Sequence, residues 1–231
     1  MLSRMKLTSL NLMGRQNWRE RAPLIVDYIQ STDPDIVFFQ EVVYLPEESS
    51  LTQPAELNKK LGYEYEQSVV SRLQTSDQYE SYREGLSVLS KYPIIYSETL
   101  VLKQNKHDHL QRIVQLFNVN QNGQIAKYAN VHFAENPEMA YENLEELLEI
   151  LESRQERRVI VGDFNMPDLK HTPLWQKEYV ASTDEFYISY PANNDRIDFV
   201  LIPKADTIVD VSVSPDGLSD HRALTAEIHL N

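Results

Sequence analysis

Apolar and polar positions fall into short runs with two different periods along the chain. Lys6–Leu12 reads as a strand, and "DIVFFQE" (Asp35–Glu41) as a short apolar run and a buried strand. Between them Leu24, Ile25, Tyr28 and Ile29 recur at helical spacing. They predict a helix over about Arg19–Ser31, with Pro23 tolerable only in its first turn. Pro54–Leu61 predicts a helix stopped by Gly62, and "GLSVLSKYPI" a strand followed by a turn at Tyr92 and Pro93. Alternation in Arg112–Asn120 and Ala126–Phe133 predicts a strand pair joined at Asn122-Gly123, a strong hairpin signal. Asn136, Pro137 and Glu138 supply an N-cap, a first-turn proline and an early acid. The helix they open carries Leu144, Leu147, Leu148 and Leu151 on one stripe. "RRVIVGDFNMP" (Arg157–Pro167) then begins as a dry strand and turns polar within two residues. After a variable stretch from Asp168 to Asp195, "RIDFVLIP" and "RALTAEIHL" close the chain as strands. Strands exceed what one parallel sheet needs, and hairpins mix with helical crossovers. Two packed sheets with helices outside, an α/β architecture, follow.

Composition narrows this picture. At 231 residues the chain suits one domain, able to bury roughly 70% of its unfolded surface without a staple. No repeat, low-complexity tract or Gly/Ser linker marks a boundary, so residues 1–231 are read as a single domain. Zero cysteines exclude disulfides, thiolate metal sites and cysteine nucleophiles together. The N-terminus lacks an unbroken apolar core with a cleavage site, and no run approaches the roughly 20 apolar residues of a membrane span. A cytoplasmic setting is the expectation. Thirty-five acids stand against 22 Lys plus Arg, a formal charge of −13. The one basic cluster, Arg154, Arg157 and Arg158, interrupts an acidic helix. A long phosphate backbone calls for clustered basic residues, so nucleic acid is disfavoured as a partner, although a local groove can still be basic.

Candidate chemistry sits at strand ends, where a rigid scaffold can aim side chains into one cleft. "FFQE" ends on Glu41, "YANVHF" carries His132, and "VIVGDFN" ends on Asp163 and Asn165. "RIDFVL" holds Asp198, and "LSDHRAL" presents Asp220 and His221. Taken singly, each has a plain structural explanation: a turn former, a helix cap, an exposed acid or a satisfied core histidine. Asp198 resists that explanation, because a carboxylate inside an apolar run is costly unless paired. A histidine is its natural partner.

Taken together, "SLN" with Asn11, "FQE" with Glu41, "VHF" with His132, "GDFN" with Asp163 and Asn165, "RIDFV" with Asp198 and "SDH" with Asp220 and His221 resemble the endonuclease/exonuclease/phosphatase superfamily. The order is the superfamily's own, and the motifs span nearly the whole chain. The resemblance implies a DNase I-like four-layer αββα sandwich and a Mg²⁺-dependent phosphoesterase, with Mn²⁺ as a possible substitute. It implies Glu41 as the main carboxylate ligand of the cation, Asn11 close beside it, and Asp220 in or supporting the metal shell. Asp163 would position or deprotonate the attacking water, and Asn165 would hold that water or a phosphate oxygen. Asp198 and His221 would form an acid–histidine pair that stabilises charge at phosphorus or serves as base. Glu84, just ahead of "GLSVLS", would back His132 as a second dyad. Arg112 would bind phosphate, with a solvated edge-strand arginine as its plain alternative.

The chain departs from nucleases of the superfamily that carry an arginine shortly after "QEV", since "QEVVYLPEESS" is acidic. It looks more like the broad bacterial metal-dependent hydrolase branch. The expected substrate is therefore a small-molecule, nucleotide or lipid head-group ester slightly ahead of DNA or RNA, and no obligate protein partner is evident. A non-catalytic binding module of the same fold ranks low, because Glu41, Asp163, Asp198 and His221 are all present. A zinc hydrolase built on histidines fails on spacing. "KHDHL" (His107–Leu110) reads as a loop, and Trp18 and Trp175 as core or rim.

Overall fold

The computed structural model describes residues 3–75, 81–167, 169, 175–183 and 186–231. The variable stretch from Asp168 to Asp195 lies partly outside them. Two six-stranded sheets stack face to face. The first has the order β11-β12-β1-β2-β4-β3, built from β1 (Ser3–Asn11), β2 (Ile36–Tyr44), β3 (Tyr65–Gln74), β4 (Tyr82–Ser90), β11 (Thr207–Val213) and β12 (Leu224–Leu230). The second has the order β5-β6-β7-β8-β10-β9, built from β5 (Ile94–Val101), β6 (Ile113–Gln121), β7 (Gln124–His132), β8 (Val159–Asp163), β9 (Tyr179–Ala181) and β10 (Asp198–Pro203).

The helices cover the outer faces. α1 (Trp18–Thr32) and α2 (Gln53–Leu61) pack on the first sheet through Ile25, Ile29 and Leu57 against Leu10, Val37 and Phe39. α3 (Pro137–Ser153) packs Leu144, Leu147 and Leu151 on Val131 and Ile160 of the second. Between the sheets lie Leu7, Phe38, Phe117, Tyr128, Val161 and Leu224. β2 and β8 read as continuous apolar runs because both of their faces are buried in this way.

Each sheet contains one parallel pair, β1/β2 crossed over by α1 and β7/β8 crossed over by α3. The carboxyl ends of these pairs are where side chains can be aimed at a shared cleft. A buried polar layer joins the sheets just beneath those ends. Gln40 donates to Asn130 Oδ1 at 2.8 Å, and Asn130 Nδ2 donates to the carbonyls of Phe39 and Ser87 and to Gln115 Oε1.

Local signals account for most element ends. Asn136 Oδ1 accepts from the Glu138 and Met139 N–H groups, and Gly62 closes α2 at φ 74°. Asn122 and Gly123, at φ 53° and 92°, form the two-residue hairpin turn. Three expectations need correcting. α1 begins at Trp18, so Pro23 sits beyond the first turn, where it is exposed. Leu24 is 49% exposed, and the buried stripe is Trp18, Ile25, Val26 and Ile29. β2 does not end at Glu41 but continues to Tyr44 through an irregularity between Phe39 and Val42. Trp18 and Trp175 are buried, as expected for core residues. No helix among the described residues is long and apolar enough to cross a membrane.

Candidate active site

The ends of β1, β7 and β8 meet the irregularity in β2 at one point. Asn11, the last residue of β1, donates from Nδ2 to Glu41 Oε1 at 3.1 Å and to Asp163 Oδ2 at 3.0 Å. Its Oδ1 accepts from the Met13 N–H at 2.9 Å. Asn11 thus turns its amide nitrogen toward the carboxylates and its oxygen away. In this geometry Asn11 links the acids of the two sheets, at the place beside Glu41 that the resemblance implied.

Glu41 reaches the site because β2 bulges there. Its φ of 48° lies in the left-handed region, and the bulge lets β2 continue while this one side chain swings toward the cleft. Burial raises its pKa above the usual carboxylate range, Asn11 opposes that shift, and Asp220 adds to it. Asp220 is exposed and accepts from Ser219 Oγ at 2.8 Å.

Asp163 is 1% exposed and lies at the centre of the cluster. His132 Nε2 and His221 Nε2 each approach its Oδ2 to 3.7 Å, and His132 Nε2 is 3.9 Å from Glu41 Oε1. Asp163 Oδ1 accepts from the Asn165 N–H at 2.9 Å, while Asn165 Nδ2 donates to the Phe133 carbonyl at 3.0 Å. Between the two polar residues Phe164 turns into the core, edge-on to Phe133 and Phe199 at 5.2 and 5.6 Å. The spacing in "GDFN" follows: the aromatic anchors the turn, and Asp163 and Asn165 flank it. Gly162 is required behind them, because at φ 146° a Cβ would lie 2.1 Å from the Val131 carbonyl oxygen.

Asp198 accepts from or shares a proton with His221 Nδ1 at 2.9 Å, both side chains being buried. Its backbone N–H is held by Ser189 Oγ and its carbonyl by the Tyr187 hydroxyl. The two histidines are driven to opposite charge states. Burial opposes the imidazolium form of His221, but Asp198 and Asp163 outweigh it and push the pKa up to about 10. Burial, then Arg112 and Arg72, hold His132 well below the ordinary histidine range. Burial pushes Asp163 up to about 7, His221 pulling it back and Asp198 adding to the rise.

Glu84 does not pair with His132. It forms an ion pair with Arg72, 12% exposed, and no hydrogen bond or ion pair joins it to the imidazole among the described residues. The reason is local: β3 slips register between Val70 and Arg72, with Ser71 Oγ bonded to the Glu84 carbonyl, and this turns the Arg72 side chain inward. Sequence reasoning missed Arg72 because no strand was read there. Arg112 is not a solvated edge residue either. It is 4% exposed and its Nε donates to Asp108 Oδ2 at 2.7 Å. The basic cluster is also committed elsewhere, since Arg154 grips Glu98, Arg157 meets Glu178, and Arg158 is 1% exposed beside Glu156.

Two donor sets suit a cation. Glu41 and the neighbouring Asp220 offer oxygen donors of the kind a hard divalent ion takes. Asp163, Asp198 and His221 each offer one atom within 4.8 Å of the others, and among the described residues Asp198 Oδ1 is buried without a partner.

Two packed mixed sheets with acids, amides and histidines gathered at the carboxyl ends of their parallel pairs are the architecture of the phosphoric ester hydrolases of the DNase I-like class. The model of the endonuclease/exonuclease/phosphatase family matches residues 8–221, and the chain belongs to that family. The family's enzymes are generally dependent on divalent metal. An endonuclease/exonuclease/phosphatase from Beutenbergia cavernae shares the fold at TM-score 0.77 and 20% identity, over 99% of this chain and 72% of that one. A family protein from Bacteroides thetaiotaomicron follows at TM-score 0.75 and 16% identity, over 100% and 99%. A mannosyl-6-phosphatase from the same species matches at TM-score 0.69 and 17% identity, over 97% and 99%. No curated protein matches the chain.

Proposed function

We propose that this single-domain protein hydrolyses a phosphate ester by in-line attack of water, using Mg²⁺, with Mn²⁺ as a substitute. The observation that carries the reading is the double hydrogen bond of Asn11, which places Glu41 of one sheet beside Asp163 of the other. Phosphoryl transfer asks a protein mainly for position and charge compensation. A cation held by Glu41, with Asp220 in support, supplies charge neutralisation on the phosphate and the leaving oxygen.

The other roles follow from charge state. Asp163, with a pKa of about 7, suits a base that orients the water and takes its proton near neutral pH. As the water oxygen bonds to phosphorus, the ester P–O bond breaks and the leaving oxygen departs with the electron pair. His221 is already protonated and fixed by Asp198, so it serves as a cationic partner for charge on phosphorus. Neutral His132 offers a polar contact beside Glu41, Asn165 steadies the water through the "GDFN" turn, and Arg112 meets a phosphate oxygen. Acidity of the whole chain and the commitment of Arg154, Arg157 and Arg158 to acids favour a small-molecule, nucleotide or head-group ester over DNA or RNA. The absence of cysteine suits a cytoplasmic setting.

Turnover of bis-p-nitrophenyl phosphate with Mg²⁺ or Mn²⁺ tests the reading. Asp163→Ala and His221→Ala should each lower kcat by roughly 10²–10⁴-fold while leaving the fold intact by circular dichroism. Activity untouched by both substitutions overturns the assignment.

A further inference from the structure

Two buried side chains outside the chemistry join the three segments that carry Asn11, Glu41 and Asp220. Arg21, near the start of α1, is 6% exposed. Its Nε donates to the Gln16 carbonyl at 2.7 Å, its Nη2 to the Gly14 carbonyl at 3.1 Å and its Nη1 to the Leu218 carbonyl at 2.9 Å. Gln53, the first residue of α2, is fully buried. Its Nε2 donates to the same Gly14 carbonyl at 2.7 Å, and its Oε1 accepts from the Val43 N–H at 2.8 Å. One run of hydrogen bonds thus leads from Leu218 through Arg21, Gly14 and Gln53 to Val43. Gly14 lies three residues after Asn11, Val43 two after Glu41, and Leu218 two before Asp220.

Ordinary packing does not account for this arrangement. Among the described residues Arg21 forms no ion pair and bonds to carbonyls alone, a costly way to bury a guanidinium. Burial opposes its charged form, and Asp220 and Glu41 favour it. The segments it holds are also strained, since Met13 and Glu41 stand at φ 50° and 48°. Such conformations persist only where the surroundings enforce them. We propose that Arg21 and Gln53 are positioning residues for the cation site, fixing the segment of Asp220 against those of Asn11 and Glu41 and so setting the separation of the two carboxylates. The role rests on the cation reading above and adds two residues that act through it.

Charge and position make opposite predictions. As a bare charge beside Glu41 and Asp220, Arg21 repels a divalent ion, and removing it tightens binding. As a clamp it holds the acids at the spacing an ion needs, and removing it loosens binding. Arg21→Lys separates the two, because it keeps the charge and loses the planar fork that spans two segments.

Calorimetric titration with Mn²⁺ of the wild type, Arg21→Lys, Arg21→Met, Gln53→Met and Arg158→Met, each shown to be folded by circular dichroism, tests the proposal. Arg158 is a similarly buried guanidinium bonded to the Phe117 and Tyr128 carbonyls at the end of β8 away from Asp163, so its variant reports the effect of losing a buried arginine alone. Kd should rise about tenfold in Arg21→Lys, Arg21→Met and Gln53→Met and stay unchanged in Arg158→Met. Asp220→Asn should weaken binding less in the Arg21→Met background than in the wild type, because both changes act through one carboxylate. Tighter binding in Arg21→Met, an unchanged Kd in Arg21→Lys or Gln53→Met, equal weakening in Arg158→Met, or additive effects in the double variant overturns the proposal. If Glu41→Gln has meanwhile lost binding, the cation reading stands without the clamp. Binding retained in Glu41→Gln overturns the cation reading itself, and the clamp with it.

Discussion

Glu41 and Asn165 both adopt left-handed backbone conformations, at φ 48° and 52°, and both stand at the cleft. For a glutamate inside a strand this geometry stores about 1–3 kcal/mol, a strain that persists only where the surroundings enforce it. Asparagine tolerates the conformation better than glutamate. Glu41→Asn should therefore raise the stability of the metal-free protein by roughly 1 kcal/mol in urea unfolding while abolishing turnover. Unchanged or lower stability with lost activity would mean that the backbone there is not strained. The Asp198–His221 pair carries a second consequence. The folded pKa of His221, about 10, exceeds its ordinary value of 6.5, so the stabilisation it brings is full below pH 6.5 and is lost as pH rises toward 10. Asp198→Asn removes its closest counter-charge, and the imidazole should then titrate lower in an NMR titration of the metal-free protein. The residues named from "SLN", "FQE", "VHF", "GDFN", "RID" and "SDH" stood out because each lies in or near the end of an apolar run and because together they resemble the family's motifs. Arg72 was not, because only the bulge at Ser71 turns it inward, and a one-residue register slip leaves no trace in composition.

At the scale of elements, the two sheets repeat one plan. β11-β12-β1-β2-β4-β3 and β5-β6-β7-β8-β10-β9 both place a parallel pair in the middle with antiparallel strands on either side. Asn11 and His132 end the first strand of each pair; Glu41 on the second strand of one corresponds to Asp163 at the end of the other. No sequence repeat announces this. The eight inner strands were readable from apolar runs and alternation. The strands that escaped reading, β3, β5, β9 and β11, are the sheet edges. β3, β5 and β11 alternate between half-buried and exposed positions, and β9 is only three residues long, so hydrophobic pattern marks them weakly. The inner strands are held in mutual register by the buried Gln40–Asn130–Gln115 layer. Asn130→Leu leaves several buried groups unpaired and should cost about 1–3 kcal/mol in denaturant unfolding. It should also lower kcat, since Asn130 lies two residues before His132 and Gln40 immediately before Glu41. A stable variant of full activity would show that the layer does not position the site.

Across the whole molecule, charge limits the partners. With a formal charge of −13 and its basic cluster committed to acids, the chain should show weak affinity for duplex DNA even at low salt, by fluorescence anisotropy. Tight binding that falls steeply with salt would restore the nuclease reading. Which acids receive the cation decides the role of every other group at the site. Calorimetric titration with Mn²⁺ of the wild type, Glu41→Gln and Asp198→Asn separates the two donor sets. Binding lost in Glu41→Gln and retained in Asp198→Asn is the predicted result. Binding retained in Glu41→Gln and lost in Asp198→Asn would move the ion to Asp163, Asp198 and His221 and contradict the assignment of roles.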